Sequence, residues 1–149
     1  MVSQSSWKND DALFYSRIAG NRIRDIHGDL YLKNIFIIKN KFYLYDRIEF
    51  NDFLRYADVA EDVAHLSMDL DYHKRDDLRK YFISQYIMKS NDVKLSGLVY
   101  FLMCYKACVR AKVSLFSARN EKIFTNKRIE YVRESEDHLK LAESYLEFL

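Results

Sequence analysis

Proline is absent from this 149-residue chain, and glycine occurs three times, as Gly20, Gly28 and Gly97. So few helix breakers exclude a flexible Pro/Gly-rich linker and favour long helices. Cysteine is nearly as scarce. Cys104 and Cys108 stand four apart in an apolar segment, with no C-x-x-C pair and no histidine close in sequence, which argues against a metal site. They are expected to be buried free thiols on one helix face, in a reducing compartment, the cytoplasm. Residues 1–20 have neither a basic start nor an apolar run, so no signal peptide is expected. The longest apolar run, residues 98–105, falls short of the about 20 residues that a membrane-spanning helix needs. An excess of one charge is also lacking: 24 basic and 22 acidic residues leave a net +2. That balance gives no case for nucleic-acid binding. What is present is apolar and aromatic. Hydrophobic residues make up 49% of the chain and aromatics 15%, which excludes a disordered chain and suffices for one domain, residues 1–149, with a core.

Five helical stretches follow from periodicity. Asn9-Asp10-Asp11 can cap a helix that runs to about residue 18 or 19, with Leu13, Phe14 and Ile18 on one side and residues 1–8 as a frayed leader. Asp58 with Glu61 three positions later marks a second start, and Val59, Val63, Leu66 and Leu70 recur at helical spacing. Asp76-Asp77 opens a third helix, to about residue 89. A long apolar helix is expected over about 93–119, then a polar interruption at 116–123 and a last amphipathic helix over about 125–148. Between the first two helices lie two short β-type runs, 35–38 and 42–45, joined by a turn at Lys39-Asn40-Lys41. Their apolar residues fall on both faces, so the hairpin is expected to be largely covered. Residues 47–56 read as irregular. The expected architecture is mainly α (α+β): a loop and hairpin region, 22–56, beside a helical bundle, 57–149.

The polar residues concentrate at the hairpin end. Residues 24–34 read Arg-Asp-Ile-His-Gly-Asp-Leu-Tyr-Leu-Lys-Asn and contain H-x-D-x-x-x-x-N. In kinase-type phosphotransferases the Asp of such a loop accepts the proton of the attacking hydroxyl and the Asn reaches Mg²⁺. A second acid must meet that metal from another direction, and Asp46 stands where the hairpin ends. Other readings stay open. Asp29 and Asn34 both favour turns, Asp46 could simply end a strand, and Asp58 suits a helix cap. Glu49 is either an assisting carboxylate or a solvated one. Arg110 interrupts an apolar helix; it either pairs with a carboxylate near the loop or snorkels to the surface. His65, His73 and His138 stand isolated.

The segment His27-Gly28-Asp29-Leu30-Tyr31-Leu32-Lys33-Asn34-Ile35 resembles the H-G-D-L-H-x-x-N-I segment of aminoglycoside phosphotransferase-like and choline kinase-like proteins, members of the protein-kinase-like fold. Leu44-Tyr45-Asp46 through Glu49-Phe50-Asn51 resembles their metal-Asp segment, and residues 56–64 their D-x-x-x-D-[LV]-A helix. Val109-Arg110-Ala111-Lys112-Val113 is similar to a prokaryotic branch often fused to a P-loop ATPase. The resemblance spans about residues 22–119. It implies Asp29 as catalytic base, Asn34 and Asp46 as Mg²⁺ ligands, His27 and Asp62 as supports of the loop, and ATP as phosphoryl donor to a small-molecule hydroxyl. Tyr31 replaces the His of most relatives. Too few residues precede His27 for the N-terminal lobe, and three scattered glycines cannot form its phosphate-covering loop. The resemblance therefore implies the C-terminal lobe alone, completed by a partner chain or truncated from a longer protein, or else a non-catalytic interaction module that associates through the face such a lobe would cover.

Overall fold

The computed structural model describes residues 4–120 and 123–149, with side chains from residue 12 onward. Helix α1 spans Gln4–Ala19 and is followed by strand β1, Ile23–Asp25. A loop and a 3-10 turn, Leu32–Asn34, lead into the hairpin β2, Ile35–Ile38, and β3, Lys41–Leu44. Then come the single turn α2, Asp52–Arg55, and strand β4, Tyr56–Asp58. The remainder is helical: α3, Ala60–Tyr72; α4, Asp76–Ser90; a 3-10 turn, Val93–Gly97; α5, Val99–Ala118; α6, Thr125–Tyr145; and a closing 3-10 turn, Leu146–Phe148. The molecule is thus mainly helical with a small strand component.

The core lies where α3, α5 and α6 meet. Val63, Ala64, Met68, Leu95, Val99, Met103, Ala107 and Ala142 bury one continuous cluster, with Phe82, Ile83 and Ile87 of α4 packed at its edge. Removing that apolar surface from water, at about 25 cal/mol per Å², is the main stabilising term of this half. Small residues at Ala60, Ala64, Ala107 and Ala111, each no more than 1% exposed, let the helices approach closely.

Two separate two-stranded antiparallel sheets form in the other half. In one, β1 pairs with β4, Ile23 opposite Asp58. In the other, β2 pairs with β3, Ile38 opposite Lys41. That register leaves a two-residue loop, Lys39-Asn40, with φ of 48° and 62°. Two consecutive positive φ values make a type I′ turn, whose twist matches the strands it joins.

Several expectations are corrected. Helix α1 begins by Gln4, so Asn9-Asp10-Asp11 lies inside it and is not its cap; residues 1–3 of the expected leader lie outside the described residues. The side of α1 that is buried centres on Arg17, 2% exposed, while Phe14 and Ile18 face solvent at 47% and 61%. Two acids explain the burial. Arg17 donates from Nε to Asp58 at 2.5 Å and from Nη1 to Asp92 at 2.8 Å, so the cation is compensated on both sides. The hairpin is not covered: Phe36, Ile37, Ile38, Phe42, Tyr43, Leu44 and Tyr45 are all at least 48% exposed. Residues 47–56 are not wholly irregular, because α2 and the start of β4 fall there. The long helix breaks at Gly97-Leu98 into a 3-10 turn and α5, and of the polar interruption residues 121–122 lie outside the described residues. Finally, both cysteines are free, but Cys104 is half-buried, turned toward α6 with its Sγ 3.4 Å from Ala142 O, and Cys108 is exposed.

Candidate active site: the loop of residues 27–34

Asp62 organises the loop. It sits in the first turn of α3 and accepts hydrogen bonds from two successive backbone amides, His27 N at 2.7 Å and Gly28 N at 2.9 Å. Burial pushes its carboxyl above the usual range, and those two amides oppose the shift. Two helical turns further on, Asp69 Oδ2 accepts from Leu32 N at 2.8 Å. Asp62, His65 and Asp69 stand at i, i+3 and i+7, so one stripe of α3 faces the loop. Gly28 is required at its position. Its φ is +82°, and a Cβ there would lie 3.0 Å from both Leu54 O and Ile48 Cδ1, so substitution meets backbone as well as left-handed strain.

His27 ties the loop to the hairpin end. Its Nε2 lies 2.8 Å from Tyr45 O, and its carbonyl accepts from Ile48 N at 2.9 Å. The backbone of Asn34 closes the same junction by accepting from Tyr45 N at 2.9 Å. Asn34 itself is buried, and its Nδ2 donates to the carbonyl oxygen of Asp29 at 3.0 Å. This bond commits the amide nitrogen and leaves Oδ1 as the side chain's acceptor atom.

Asp29, Asp46, Glu49 and His27 line one open groove of about 880 Å³. Burial raises the Asp29 carboxyl above its usual range, the nearby Arg110, His27 and Lys106 side chains oppose that rise, and the Asp46 charge adds to it. The two carboxylates are therefore electrostatic neighbours. Asp46 has φ of 60°, a left-handed conformation uncommon outside glycine, though Asp is among the residues that tolerate it. This turn aims the chain away from β3 directly after the strand ends. Beside it, Arg47 and Arg55 both pair with Asp25, the latter at 3.1 Å, and Glu49 is exposed on the rim. Among the described residues no group of three or more His, Cys, Asp or Glu side chains forms a metal cage of its own.

Asp58 caps α3 by accepting from Ala60 N at 2.9 Å while it also holds Arg17. Arg110 does not pair with a loop carboxylate. Its nearest acid is Glu134 on α6, at 3.8 Å, and its guanidinium stacks 4.7 Å from the Tyr31 ring. On α5 it is instead Lys106 that is buried with a close carboxylate partner, Glu61, at 2.8 Å. Two residues escape sequence reasoning. Arg17 carries no motif, and its carboxylate partners lie 41 and 75 positions away. His65 is different: it lies 3.8 Å from Asp29 and stacks on Tyr31. Its spacing from Asp62 along α3 was the available signal.

In comparisons with known proteins, no family model and no solved structure matches the chain. It is similar to uncharacterized proteins of Mycobacterium bovis and of two strains of Mycobacterium tuberculosis, 36% identical over 137 residues in each case. That stretch is 92% of this chain and 26% of each relative, so the chain spans about a quarter of the length of the curated relatives it matches.

Proposed function

We propose that this chain is a phosphotransferase lobe of the aminoglycoside phosphotransferase-like, protein-kinase-like type, serving phosphoryl transfer to a small-molecule hydroxyl. One observation carries the reading: Asp29 and Asp46 share a groove, and Asn34 is fastened to the Asp29 backbone so that its amide oxygen is the free end. In this reading Asp29 accepts the proton of the acceptor hydroxyl. Asn34 Oδ1 and the Asp46 carboxylate are hard oxygen donors of the kind Mg²⁺ takes, and an ion that arrives with phosphate oxygens needs no complete protein cage. Mg²⁺-ATP, when bound, supplies the phosphoryl group and neutralises its developing charge. His27 and Asp62 hold the loop that presents Asp29, and Glu49 stands on the rim of the groove without a stated role. The nucleotide-clamping half belongs to a longer polypeptide or a second chain, a reading in keeping with relatives about three and a half times as long.

Thermal unfolding in buffer, in Mg²⁺ and in Mg²⁺-ATP, beside the Asp46→Asn variant, tests this. A ligand at a hundredfold excess over Kd stabilises by about 2.7 kcal/mol. A Mg²⁺-dependent nucleotide shift that Asp46→Asn abolishes is the expected result. No shift at millimolar nucleotide would contradict the reading.

A second reading, a non-catalytic interaction module, is favoured by the hairpin alone. Seven large apolar or aromatic side chains stand exposed on eleven consecutive residues, 35–45, and contiguous apolar patches mark interaction surfaces. Sedimentation at rising concentration distinguishes it: self-association lost in Phe42→Ser supports the module, and a strict monomer counts against it.

A further inference from the structure

The imidazole of His65 is the most conspicuous polar group that the proposed chemistry leaves unused. It is 3% exposed, and both of its nitrogens are buried without a hydrogen-bond partner. Burial, reinforced by the charges of Lys106 and Arg110, pushes its pKa down to about 3, so the ring is neutral at ordinary pH and carries one N–H. The contact of Nδ1 with Asp29 Oδ1 at 3.8 Å is therefore no ion pair. It is also too long for a hydrogen bond. Asp29, for its part, receives no side-chain or backbone donor on its carboxylate among the described residues.

These two unmet needs face each other. A buried N–H left without an acceptor costs about 1–3 kcal/mol. The ring cannot turn freely to find one. Tyr31 stacks on it at 5.6 Å with the planes 9° apart, and Arg110 stacks on Tyr31 in turn. The Asp29 side chain is about one-third exposed and no hydrogen bond holds its carboxylate among the described residues, and a shift of under about 1 Å brings Oδ1 within normal hydrogen-bonding reach.

We infer that His65 is a positioning residue for Asp29: its neutral ring carries the proton on Nδ1 and donates it to Asp29 Oδ1. The bond fixes the carboxylate rotamer and leaves Oδ2 as the oxygen that faces the groove. It rests on the reading of Asp29 as the base only for its consequence, since the bond itself is a property of the free protein. Tyr31 then has a stated part, holding the ring that holds the carboxylate.

Nitrogen NMR of the imidazole in the free protein at neutral pH tests the bond without any ligand. The expected spectrum shows Nδ1 protonated and Nε2 bare, with the Nδ1 signal displaced in Asp29→Ala. A proton on Nε2, or an Nδ1 signal indifferent to Asp29→Ala, overturns the inference whether or not the protein transfers phosphate. The consequence is read in transfer. His65→Asn places an amide N–H near the position of Nδ1 and retains the rate. His65→Leu keeps the volume without the donor and lowers kcat about 10- to 100-fold, the scale seen when partners that orient functional ligands are removed. Equal rates in His65→Leu and the parent overturn the positioning role. Should His65→Leu fail to fold, the spectra of the parent and Asp29→Ala decide alone.

Discussion

Residues 22–58 and residues 60–149 are held together by different physics. In the helical half, aliphatic and small side chains bury a continuous core, with a few polar contacts between helices at its edge, such as Tyr145 to Asp71 and Lys106 to Glu61. In the loop and hairpin half, Ile26 is the one buried hydrophobic side chain among the described residues. Order there comes from directed bonds: from the bundle, Asp62 to two amides and Asp69 to a third, and from α1, Arg17 to Asp58 of β4 and Asp92 of the bundle. The candidate site is therefore built by the bundle and displayed on the weaker half. Such a half can open locally without the core unfolding, and its order is sensitive to single carboxylates in a way the core is not.

Arg17→Ala should break this comparison most severely, because Arg17 joins the two halves. It takes the cation from Asp58 and leaves the nearly fully buried Asp92 with Arg22 alone, at 3.7 Å, and removing one partner of a buried pair costs about 3–5 kcal/mol. Denaturant unfolding should show that loss over the whole molecule. Asp62→Ala should cost less, about 2–3 kcal/mol for hydrogen bonds to a charged acceptor. It should also act locally, seen as faster amide exchange at His27 and Gly28 with α5 protected as before. Asp62→Asn, which keeps one acceptor oxygen, should fall between.

A smaller and more specific effect concerns pH. His65 has a folded-state pKa of about 3 against an ordinary 6.5, so between those values the unfolded chain binds the extra proton. The stability linked to His65 is fully present above pH 6.5 and is lost as pH falls toward 3, with a slope of at most about 1.4 kcal/mol per pH unit. Asp29 and Asp62, raised by burial, act with the opposite sign, their contribution being lost as pH rises through their folded pKa values. The difference between parent and His65→Leu isolates the histidine: the variant should lose this acid-side slope. The smallest effect belongs to the exposed hairpin, where Phe42→Ser should change stability by no more than about 0.5 kcal/mol, as unfolding curves would show. A large loss there would mean that the hairpin is packed after all.

Much of this arrangement was legible in the residues. Helices α3, α4 and α6 lie close to where periodicity places them, and α3 and α4 also carry acidic residues in their first turns, which favour a helix start. The hairpin was legible from its two apolar runs. Its exposure was not, because alternation of residue types reports what could be covered and not whether a covering element exists. Arg17 was illegible because its meaning comes from acids distant in sequence, at Asp58 and Asp92. His65 was half-legible: the stripe Asp62, His65, Asp69 is visible on a helical projection, but its relation to Asp29 exists only once α3 lies against the loop. The loop itself read clearly as a loop, with Gly28 marking the one position where the left-handed backbone and the close approach of Leu54 forbid a side chain.

The central claim is that Asp29 serves as a base in a groove that holds a nucleotide through other residues. Transfer of labelled phosphoryl from Mg²⁺-ATP, to water and to a panel of hydroxyl acceptors, tests it most directly, with Asp29→Asn beside the parent and nucleotide-induced stabilisation measured on the same samples. A general base contributes about 10²- to 10⁴-fold, so the account predicts a loss of transfer on that scale in Asp29→Asn with nucleotide stabilisation retained. Equal transfer by the two proteins, or a parent that neither transfers phosphoryl nor is stabilised by Mg²⁺-ATP, would contradict it.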